Sequence, residues 1–503
     1  MTRVVSRNPA TGVERELDVT ETRPGDVVEL ADRAARMALD YAKRPLQWRA
    51  ALLREMADEL ESDAANLVAL ALDETALGQA RLEGELRRTA FQLRFFADVV
   101  EDGAFLHASI DHAKDSPMGP LPDLRRMRVP LGPVGVFGSS NFPFAFSVPG
   151  GDTASALAAG CPVVIKAHPA HPATSQACFD ALVRGARKGG APEGLLALVF
   201  GFDAGIALVD APSISAVGFT GSVPAGRALW SRANARPNPI PFFGELGSAN
   251  PLVVTPGAAK DRGDEIARGV AASMTLGVGQ FCTKPGLLFI PQDPSGDVLV
   301  TSLVDSLREL SSMTMLSEGV AENFRSGTVT IAGVDGNHRL VGGDGDGTNV
   351  TPQLFEVPAA VFADASSRAL REECFGPLAI VIRYLNRDDL SNALASADAA
   401  LTFSVFTSAA DDDASWLIEF AQTKAGRVVA NGFPTGVGVS WSMQHGGPWP
   451  AATSASATSV GASGIDRWLR PVTYQSVPED LLPEALRDDN PLDVAQRVDG
   501  VVH

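Results

Sequence analysis

Two hydrophobic patterns divide the chain. Between residues 24 and 102, apolar residues recur at spacings of three and four, as in "DVVELADRAARMALDYA", which is the periodicity of amphipathic helices. From Arg125 onward, short β-branched runs such as "CPVVIK" alternate with small-residue segments such as "GGDTASALAAG". Strands that alternate with helices are typical of βαβ units, in which helices cover both faces of a parallel sheet. The pattern therefore predicts an α/β fold with a helical N-terminal layer.

A second α/β stretch follows "PFFGELGSANPLVV" and contains the apolar runs "GLLFIP", "LAIVIRYLN" and "RVVANGF". Within it, "VGGDGDGTN" at residues 341–349 predicts a polar turn between strands, because its aspartates lack the closing glutamate of an EF-hand. Near the end of the chain, "RPVTYQSVP" at residues 470–478 predicts a short strand that could pair with another element or another subunit.

Length and composition narrow the class of protein. A chain of 503 residues exceeds what one hydrophobic core usually serves, so two or three structural units are expected. The 42 basic and 60 acidic residues give a net charge of -18, which repels a phosphate backbone and argues against nucleic-acid binding. The N-terminus lacks the apolar core of a signal peptide, and no apolar run reaches the roughly 18 residues of a membrane span. We therefore expect a cytoplasmic protein that does not enter a membrane.

The four cysteines stand in different surroundings. Cys161 and Cys178 lie in apolar runs and suit core packing, whereas Cys374 adjoins two carboxylates that would make it a poor nucleophile. Cys282 in "GVGQFCTKPG" has no acidic residue within nine positions, and Lys284 is close, so a lowered pKa is permitted. The local sequence leaves open whether Cys282 is reactive or a buried, inert thiol. The absence of a CxxC pair argues against a disulfide framework and a zinc knuckle.

Small and polar loops follow the predicted strands. The dinucleotide fingerprint GxGxxG is absent, and the loops are "FGSSNFPF", "KAHPAHP", "GFDAG" and "FTGS". The carboxyl ends of parallel strands form the edge at which open α/β sheets bind ligands. The sequence therefore predicts a ligand site built from these loops.

Six motifs occur in a fixed order along the chain: "SSNFPF" with Asn141, "VVIKAHPA" with Lys166, "FTGS" with Ser222, "ELGSANP" with Glu245, "GQFCTKPG" with Cys282, and "EECFGP" with Glu373 and Phe375. Together they resemble the aldehyde dehydrogenase superfamily from about residue 24 to the C-terminus. The stretches "SSNFPFAFSVPGGDTASALAAGCPV" and "SMQHGGPWPAATSASATSVG" are most similar to the branch of α-ketoglutarate semialdehyde dehydrogenases, which also has relatives that oxidise fatty aldehydes.

The resemblance implies a covalent mechanism. Cys282 would be the nucleophile, and the side-chain amide of Asn141 with the backbone N–H of Cys282 would bind the oxyanion of the thiohemiacetal. Glu245, in the apolar setting "PFFGELG", would activate the water that hydrolyses the thioester, with its pKa raised by desolvation.

The resemblance also implies NADP or NAD as cofactor and no metal. Its contacts would come from strand-end and helix-start residues: Ser139, Lys166, His168, Pro169, Gly201, Gly205, Ser222, Glu373 and Phe375. Family members that prefer NAD often carry a glutamate at the position of Pro169. Without that carboxylate we expect NADP to be accepted or even preferred, with His168 or His171 near its 2′-phosphate.

The substrate of the branch is 2,5-dioxopentanoate, and a fatty or medium-chain aldehyde is the alternative. The expected pocket residues are Phe142, Phe146, Thr283, His445 and Trp449. Thr283 and His445 are the polar candidates for the far carboxylate, since no arginine stands out in the matched motifs. Two other classes remain open: an acylating relative that uses coenzyme A, and a catalytically silent structural or binding protein.

The resemblance divides the chain into three parts. Residues 1–118 and 138–246 would form a Rossmann-type cofactor domain, and residues 247–450 an α/β catalytic domain. Residues 119–137 and 451–503 would form a small β oligomerisation flap with the C-terminal segment, so a homodimer or homotetramer is expected.

Overall fold

The computed structural model describes residues 2–343, 345–409, 411 and 414–503. Helices fill most of residues 24–102 and then alternate with strands, which confirms the predicted α/β fold and its helical N-terminal layer. The helices are α1 (Pro24–Ala42), α2 (Leu46–Ser62), α3 (Ala64–Thr75), α4 (Gln79–Asp102), α5 (Gly151–Ala159), α6 (Pro172–Lys188), α7 (Phe202–Asp210), α8 (Val223–Ala235), α9 (Pro256–Thr275), α10 (Pro294–Arg308), α11 (Glu318–Ala332), α12 (Ala359–Ala363), α13 (Arg387–Ser396) and α14 (Ala414–Lys424). Among the helices described, none combines the length and apolar character needed to cross a bilayer.

The strands form three larger sheets and three two-stranded ribbons. In the first half of the chain they are β1 (Arg3–Arg7), β2 (Glu14–Thr20), β3 (Ala108–Asp111), β4 (Lys114–Ser116), β5 (Gly119–Leu121), β6 (Leu124–Pro130), β7 (Val134–Phe137), β8 (Val163–Lys166), β9 (Leu196–Val199), β10 (Ala216–Thr220) and β11 (Phe242–Glu245). In the second half they are β12 (Asn250–Val254), β13 (Pro285–Pro291), β14 (Met313–Thr314), β15 (His338–Val341), β16 (Asn349–Val350), β17 (Gln353–Pro358), β18 (Leu378–Tyr384), β19 (Ala400–Phe406), β20 (Ala425–Ala430), β21 (Leu469–Gln475), β22 (Gln496–Val498) and β23 (Val501–Val502).

The first sheet is parallel and has the order β11-β10-β7-β8-β9. Successive side chains of a strand point to opposite faces. Val163 and Ile165 accordingly pack against the core beneath α2, α4, α5 and α6, whereas Val164 packs against α1, α7 and α8. Both faces are covered, which explains why the strands are uniformly apolar.

The second sheet has the order β15-β17-β18-β13-β12-β19-β20 and is parallel except for the edge strand β15. Along β13, Leu287 and Phe289 join one core, while Leu288 and Ile290 join the other. Strand β12 follows Glu245 after a short loop, so the carboxyl end of β11 leads directly into this sheet. The chain between the two sheets is therefore positioned to carry a site.

A third, mixed sheet has the order β21-β6-β3-β22-β23. Strand β21 pairs antiparallel with β6, with Val472 opposite Met127. This confirms the short strand that the sequence predicted near the C-terminus. Two boundaries differ from the sequence-based division. Strand β7 was assigned to the flap but is the central strand of the first sheet, and β3 was assigned to the cofactor domain but belongs to the third sheet.

The polar turn predicted at 341–349 lies between β15, which ends at Val341, and β16, which begins at Asn349. Its aspartate at position 344 lies outside the described residues.

Candidate active site

The loop that carries Cys282 is held in a fixed and unusual backbone path. Gly277, Val278 and Gly279 all have positive φ, between +56° and +66°. A Cβ on Gly279 would lie 2.4 Å from the carbonyl carbon of Gly376, so only glycine fits there. The side-chain amide of Asn250 donates to the carbonyl oxygen of Cys282 at 2.8 Å. The path therefore projects Cys282 between the two parallel sheets.

The Cys282 thiol has a pKa well above its ordinary value, because it is buried and faces the carboxylates of Glu245 and Glu373. The sequence permitted a lowered pKa, and that expectation is wrong. The acids that oppose ionisation are remote in the sequence but close in the fold. Lys284, expected to favour the thiolate, instead donates from Nζ to the carbonyl oxygen of Leu378.

Glu245 ends strand β11 and is almost fully buried. Its Oε1 lies 2.9 Å from His445 Nε2, and Ser459 Oγ donates a hydrogen bond to Oε2. Burial alone would raise the pKa of this carboxyl, but His445, Ser459 and Cys282 together hold the pKa below its usual value. The sequence-based expectation of a raised pKa is therefore wrong, and Glu245 is a carboxylate at neutral pH.

His445 lies beside both catalytic candidates. Its Nε2 is 3.5 Å from Cys282 Sγ, and its backbone N–H donates to Thr458 Oγ1 at 2.8 Å. The sequence predicted this histidine in the substrate pocket but not its contact with Cys282. Nothing in "SMQHGGP" indicates that His445 would face the loop that carries the cysteine.

The ligand atoms of Glu245, Cys282 and His445 all lie within 4.8 Å of one another. A thiolate, an imidazole and a carboxylate at these separations could hold a metal ion such as zinc. The same three groups also form a nucleophile with two adjacent proton acceptors. The absence of a metal therefore stays a prediction.

Asn141 lies next to the Cys282 loop, as its expected role in oxyanion binding requires. Its Nδ2 donates to the carbonyl oxygen of Gln280 at 3.0 Å, which leaves a second N–H of the amide for a ligand. Arg81 Nη2 donates to the backbone carbonyl of Asn141 at 2.6 Å and fixes this turn after β7.

Lys166 and two glycines lie at the carboxyl edge of the first sheet. Lys166 ends β8, and burial lowers its pKa to about 8. A Cβ on Gly205 would lie 3.2 Å from the Phe137 ring and 3.6 Å from Cε of Lys166, so glycine lets α7 approach the strands closely. Gly201 precedes α7 with φ +103°. Ser222 caps α8 by accepting the N–H of Ala225.

Two buried polar atoms at this edge have no hydrogen-bond partner within the described part of the chain, Ser139 Oγ and Glu373 Oε1. Burial raises the pKa of Glu373 to about 7, although Lys284 opposes the shift. Unpartnered buried groups are costly unless a ligand satisfies them. These atoms, the N-terminal ends of α7 and α8 and the half-buried Phe375 fit a nucleotide with ribose hydroxyls and a pyrophosphate.

The histidines after β8 have separate roles. His171 is buried, with Nε2 2.8 Å from the carbonyl of Ser139 and Nδ1 3.1 Å from Ser175 Oγ, so its expected place beside a 2′-phosphate is wrong. His168 is partly exposed beside the exposed Pro169, and burial with nearby His171 and Lys166 keeps its pKa well below its ordinary value.

Aromatic rings line the approach to Cys282. Phe142 and Phe281 are 5.1 Å apart, and Phe146 lies 6.1 Å from the His445 ring. Thr283 is buried and accepts the backbone N–H of Gly436.

Trp449 does not join these rings. It lies 5.6 Å from Trp230 of α8 and near Arg227, so the structure does not place it among the rings beside Cys282, and its assignment to the substrate pocket stays a prediction. The loop that carries it continues past His445 toward the first sheet, where Ala452 bridges to Glu245.

Two arginines that the sequence did not single out do contact these aromatic rings. Arg81 stacks on Phe142 and Phe281, and Arg88 stacks on Phe146. They lie seven residues apart on α4, a spacing that places them on one helix face. That spacing was a usable signal, but it lies outside the six motifs.

Comparisons with known proteins identify relatives of the whole chain. The profile of the aldehyde dehydrogenase family matches residues 2–470. Alpha-ketoglutaric semialdehyde dehydrogenase 2 of Azospirillum brasilense is 45% identical over 500 residues, covering 98% of this chain and 93% of the relative. Alpha-ketoglutaric semialdehyde dehydrogenase of Acinetobacter baylyi is 41% identical over 483 residues, covering 95% and 91%.

Solved structures share the fold. An aldehyde dehydrogenase from Brucella melitensis biovar abortus 2308 superposes with a TM-score of 0.78 at 22% identity, covering 94% of this chain and 93% of that one. NADP-dependent glyceraldehyde-3-phosphate dehydrogenase from Bacillus halodurans C-125, complexed with NADP, gives 0.79 at 23% identity, covering 94% and 96%. The resemblance drawn from the six motifs is confirmed: the chain belongs to the aldehyde dehydrogenase family and is an enzyme that oxidises aldehydes.

Proposed function

We propose that this enzyme oxidises 2,5-dioxopentanoate to 2-oxoglutarate, with NAD or NADP as the hydride acceptor. The names of the two curated relatives support the substrate. The observation that carries the chemistry is the cluster in which Cys282 Sγ and Glu245 Oε1 lie 3.5 Å and 2.9 Å from the same atom, His445 Nε2. It supplies a nucleophile, a base and an imidazole between them.

The first step removes the thiol proton. Because the pKa of Cys282 is raised and that of Glu245 is lowered, the resting site holds a neutral thiol beside a carboxylate. We assign the proton to Glu245 or to His445 Nε2, the two acceptors at the sulfur. The thiolate then attacks the aldehyde carbon, and the developing oxyanion is bound by the Asn141 amide and the backbone N–H of Cys282.

The second step needs the cofactor, which when bound supplies a nicotinamide ring that takes the hydride from the thiohemiacetal carbon. Lys166, Ser139 and Glu373 would hold its ribose hydroxyls, and the start of α8 at Ser222 would face its pyrophosphate. Phe375 would pack beside the ring. These residues orient the cofactor, while the chemistry at sulfur stays with Cys282.

Glu245 completes the reaction. Once the thiol proton has left the site for bulk water, Glu245 is a carboxylate held by His445 and Ser459, and it would take a proton from water as that water attacks the Cys282 thioester. This base argues for a free acid as product rather than transfer of the acyl group to coenzyme A.

For the cofactor we propose that NADP is accepted and preferred, because Pro169 places no carboxylate against a 2′-phosphate. The partly exposed His168 is the remaining candidate beside that phosphate. Steady-state kinetics with both cofactors test this proposal, and a kcat/KM for NAD well above that for NADP would refute it.

We propose that the first sheet with its helices is the cofactor domain, with boundaries near 1–118 and 138–246 adjusted for β3 and β7. The second sheet, within 247–450, would be the catalytic domain. The third sheet, from the 119–137 and 451–503 regions, would mediate a homodimer or homotetramer through its edge strand β21. Light scattering of the purified protein tests the assembly.

Steady-state kinetics with a series of aldehydes test the proposed substrate. We expect the highest kcat/KM for 2,5-dioxopentanoate, with slower oxidation of succinic semialdehyde and of medium-chain aldehydes, which the Phe142 and Phe146 rings can accommodate. Activity must not require coenzyme A. An efficiency that rises from C6 to C12 aldehydes, with no oxidation of 2,5-dioxopentanoate, would identify a fatty aldehyde dehydrogenase instead.

A further inference from the structure

Helix α4 presents two guanidinium groups to the aromatic approach to Cys282. The Arg81 Cζ lies 5.0 Å from the centroid of the Phe142 ring and 4.8 Å from that of Phe281. The Arg88 Cζ lies 5.4 Å from the centroid of Phe146. Since Phe281 precedes the nucleophile and Phe146 packs on His445, both cations border the space in front of the sulfur.

Neither cation forms a close ion pair with an acid, although Glu85 attracts both arginines and Glu245 attracts Arg88 at longer range. No ion pair involves Arg81 or Arg88 among the residues that the structure describes. Glu85 lies between them on α4, but its Oε1 accepts the backbone N–H groups of Phe144 and Ala145 at 2.9 and 3.0 Å. Burial also raises the pKa of Glu85, which further weakens its ability to offset the arginines.

The two guanidinium groups also keep donors free. Arg81 Nε and Nη1 are buried without a hydrogen-bond partner in the described chain. Arg88 makes only long contacts of 3.4 Å, to the carbonyl of Val437 and to Gln92 Oε1. Arg427 differs, because its Nη atoms already donate to the carbonyls of Gly436 and Pro434. Arg81 and Arg88 are therefore the pair available to an anionic ligand.

We propose that Arg81 and Arg88 bind the carboxylate at the far end of the aldehyde substrate. The proposal rests on the proposed function and adds the residues that select the substrate. A guanidinium group matches a carboxylate through two parallel N–H···O bonds. In an extended five-carbon semialdehyde the reacting carbon and the carboxylate carbon are roughly 5 Å apart, four C–C bonds of about 1.5 Å. Arg88 also interacts electrostatically with Cys282, so one short substrate can present its aldehyde to the sulfur and its carboxylate to this face of α4.

The proposal replaces the expectation that the pocket lacks an arginine clamp. With two unpaired cations at its wall, the pocket favours short ω-oxo acids over neutral aldehydes of the same length. Substrate selection would then depend on α4, an element outside the six family motifs.

Kinetics with a charged and an uncharged aldehyde test whether Arg81 and Arg88, here called the clamp, bind the substrate carboxylate. The variants are Arg88→Gln, Arg81→Gln and the double variant, with Arg87→Gln as the matched control because Arg87 is exposed on the same helix. The substrates are 2,5-dioxopentanoate and pentanal, which has the same chain length and no charge. For each clamp variant we expect kcat/KM for 2,5-dioxopentanoate to fall about 10- to 100-fold. With Arg88→Gln the change for pentanal should stay within about threefold. Arg81→Gln also removes the hydrogen bond to the Asn141 carbonyl, so for Arg81→Gln and the double variant we expect a loss at least about tenfold larger with 2,5-dioxopentanoate than with pentanal. Glutarate should weaken in parallel as a competitive inhibitor.

The outcomes separate the two proposals. Equal losses with both aldehydes would overturn the clamp and indicate that the arginines only shape the site, for instance through the contact of Arg81 with Asn141. Unchanged kinetics in the double variant would also overturn the clamp. If the wild-type enzyme oxidises pentanal but not 2,5-dioxopentanoate, the proposed function itself fails. Arg88→Lys, which keeps a charge but loses the planar fork, should lie between Arg88→Gln and the wild type.

Discussion

In the proposed mechanism, Cys282 must lose its proton inside the site before it can attack. Burial and the carboxylates of Glu245 and Glu373 keep its pKa well above the ordinary value, so the free enzyme holds a thiol at neutral pH. Such a residue is protected from adventitious alkylation and oxidation until substrate and cofactor change its surroundings. His445 and Glu245 are the two groups that can receive the proton.

The rate of alkylation by iodoacetamide measures directly how readily Cys282 ionises. A raised pKa means that the thiolate of Cys282 appears only as the pH rises. At pH 7, iodoacetamide should therefore modify Cys282 more slowly than it modifies a free thiol. The rate of modification should still increase in alkaline solution. Mass spectrometry of the peptide that contains residue 282 gives the rate. A rate that levels off below pH 8 would contradict the raised pKa. Cys374, buried with a pKa raised to about 11, is the internal control.

We expect the thiol of Cys282 to be essential for activity. Cys282→Ser should fold with an unchanged melting temperature but lose more than about 10³-fold in kcat, because a hydroxyl ionises far less readily than a thiol and is a far weaker nucleophile than a thiolate. Cys161→Ala and Cys374→Ala, in the same assay, should retain most activity, since both side chains only pack in the core. Substantial turnover by Cys282→Ser would remove it from the mechanism.

At the scale of elements, close helix packing fixes the first sheet. Helices α2 and α6 touch at Gly185, where an added Cβ would lie 2.6 Å from the Cα of Met56. Gly185→Ala should therefore destabilise the protein by about 1–3 kcal/mol, measured by chemical denaturation. Gly319→Ala in α11, where nothing lies within 4 Å, is the matched control and should be neutral or slightly stabilising. Equal stability of the two variants would contradict this packing.

Helices and strands could be predicted where the apolar pattern that defines them lies within a short stretch of the sequence. The alternation of apolar runs and small-residue helices gave the α/β class, and "LAIVIRY" is strand β18. Pairing partners were not local, so β7 was assigned to the wrong sheet although its strand character was evident. For the same reason the sequence named Cys282, Glu245 and Asn141 but not the direction of two pKa shifts, which depend on contacts between loops far apart in the chain.

In the whole molecule, the candidate site draws on five separate segments: α4, the loop after β7, the end of β11, the Cys282 loop and the C-terminal loop with His445. The six motifs cover three of these segments, which explains why the family could be recognised. The arginines of α4 and the contact of His445 with the sulfur lie outside the motifs, and the fold is needed to show that both face Cys282.

The central claim is that Cys282 forms an acyl enzyme with 2,5-dioxopentanoate and that Glu245 is needed to hydrolyse it. The most direct measurement mixes Glu245→Gln with excess 2,5-dioxopentanoate and NADP, follows the reduced cofactor, and then determines the mass of the quenched protein. The account predicts at most one equivalent of reduced cofactor per active site, followed by a stall, and one acyl adduct on the peptide that contains Cys282. Steady turnover at the wild-type rate, or reduced cofactor without any adduct on Cys282, would contradict it.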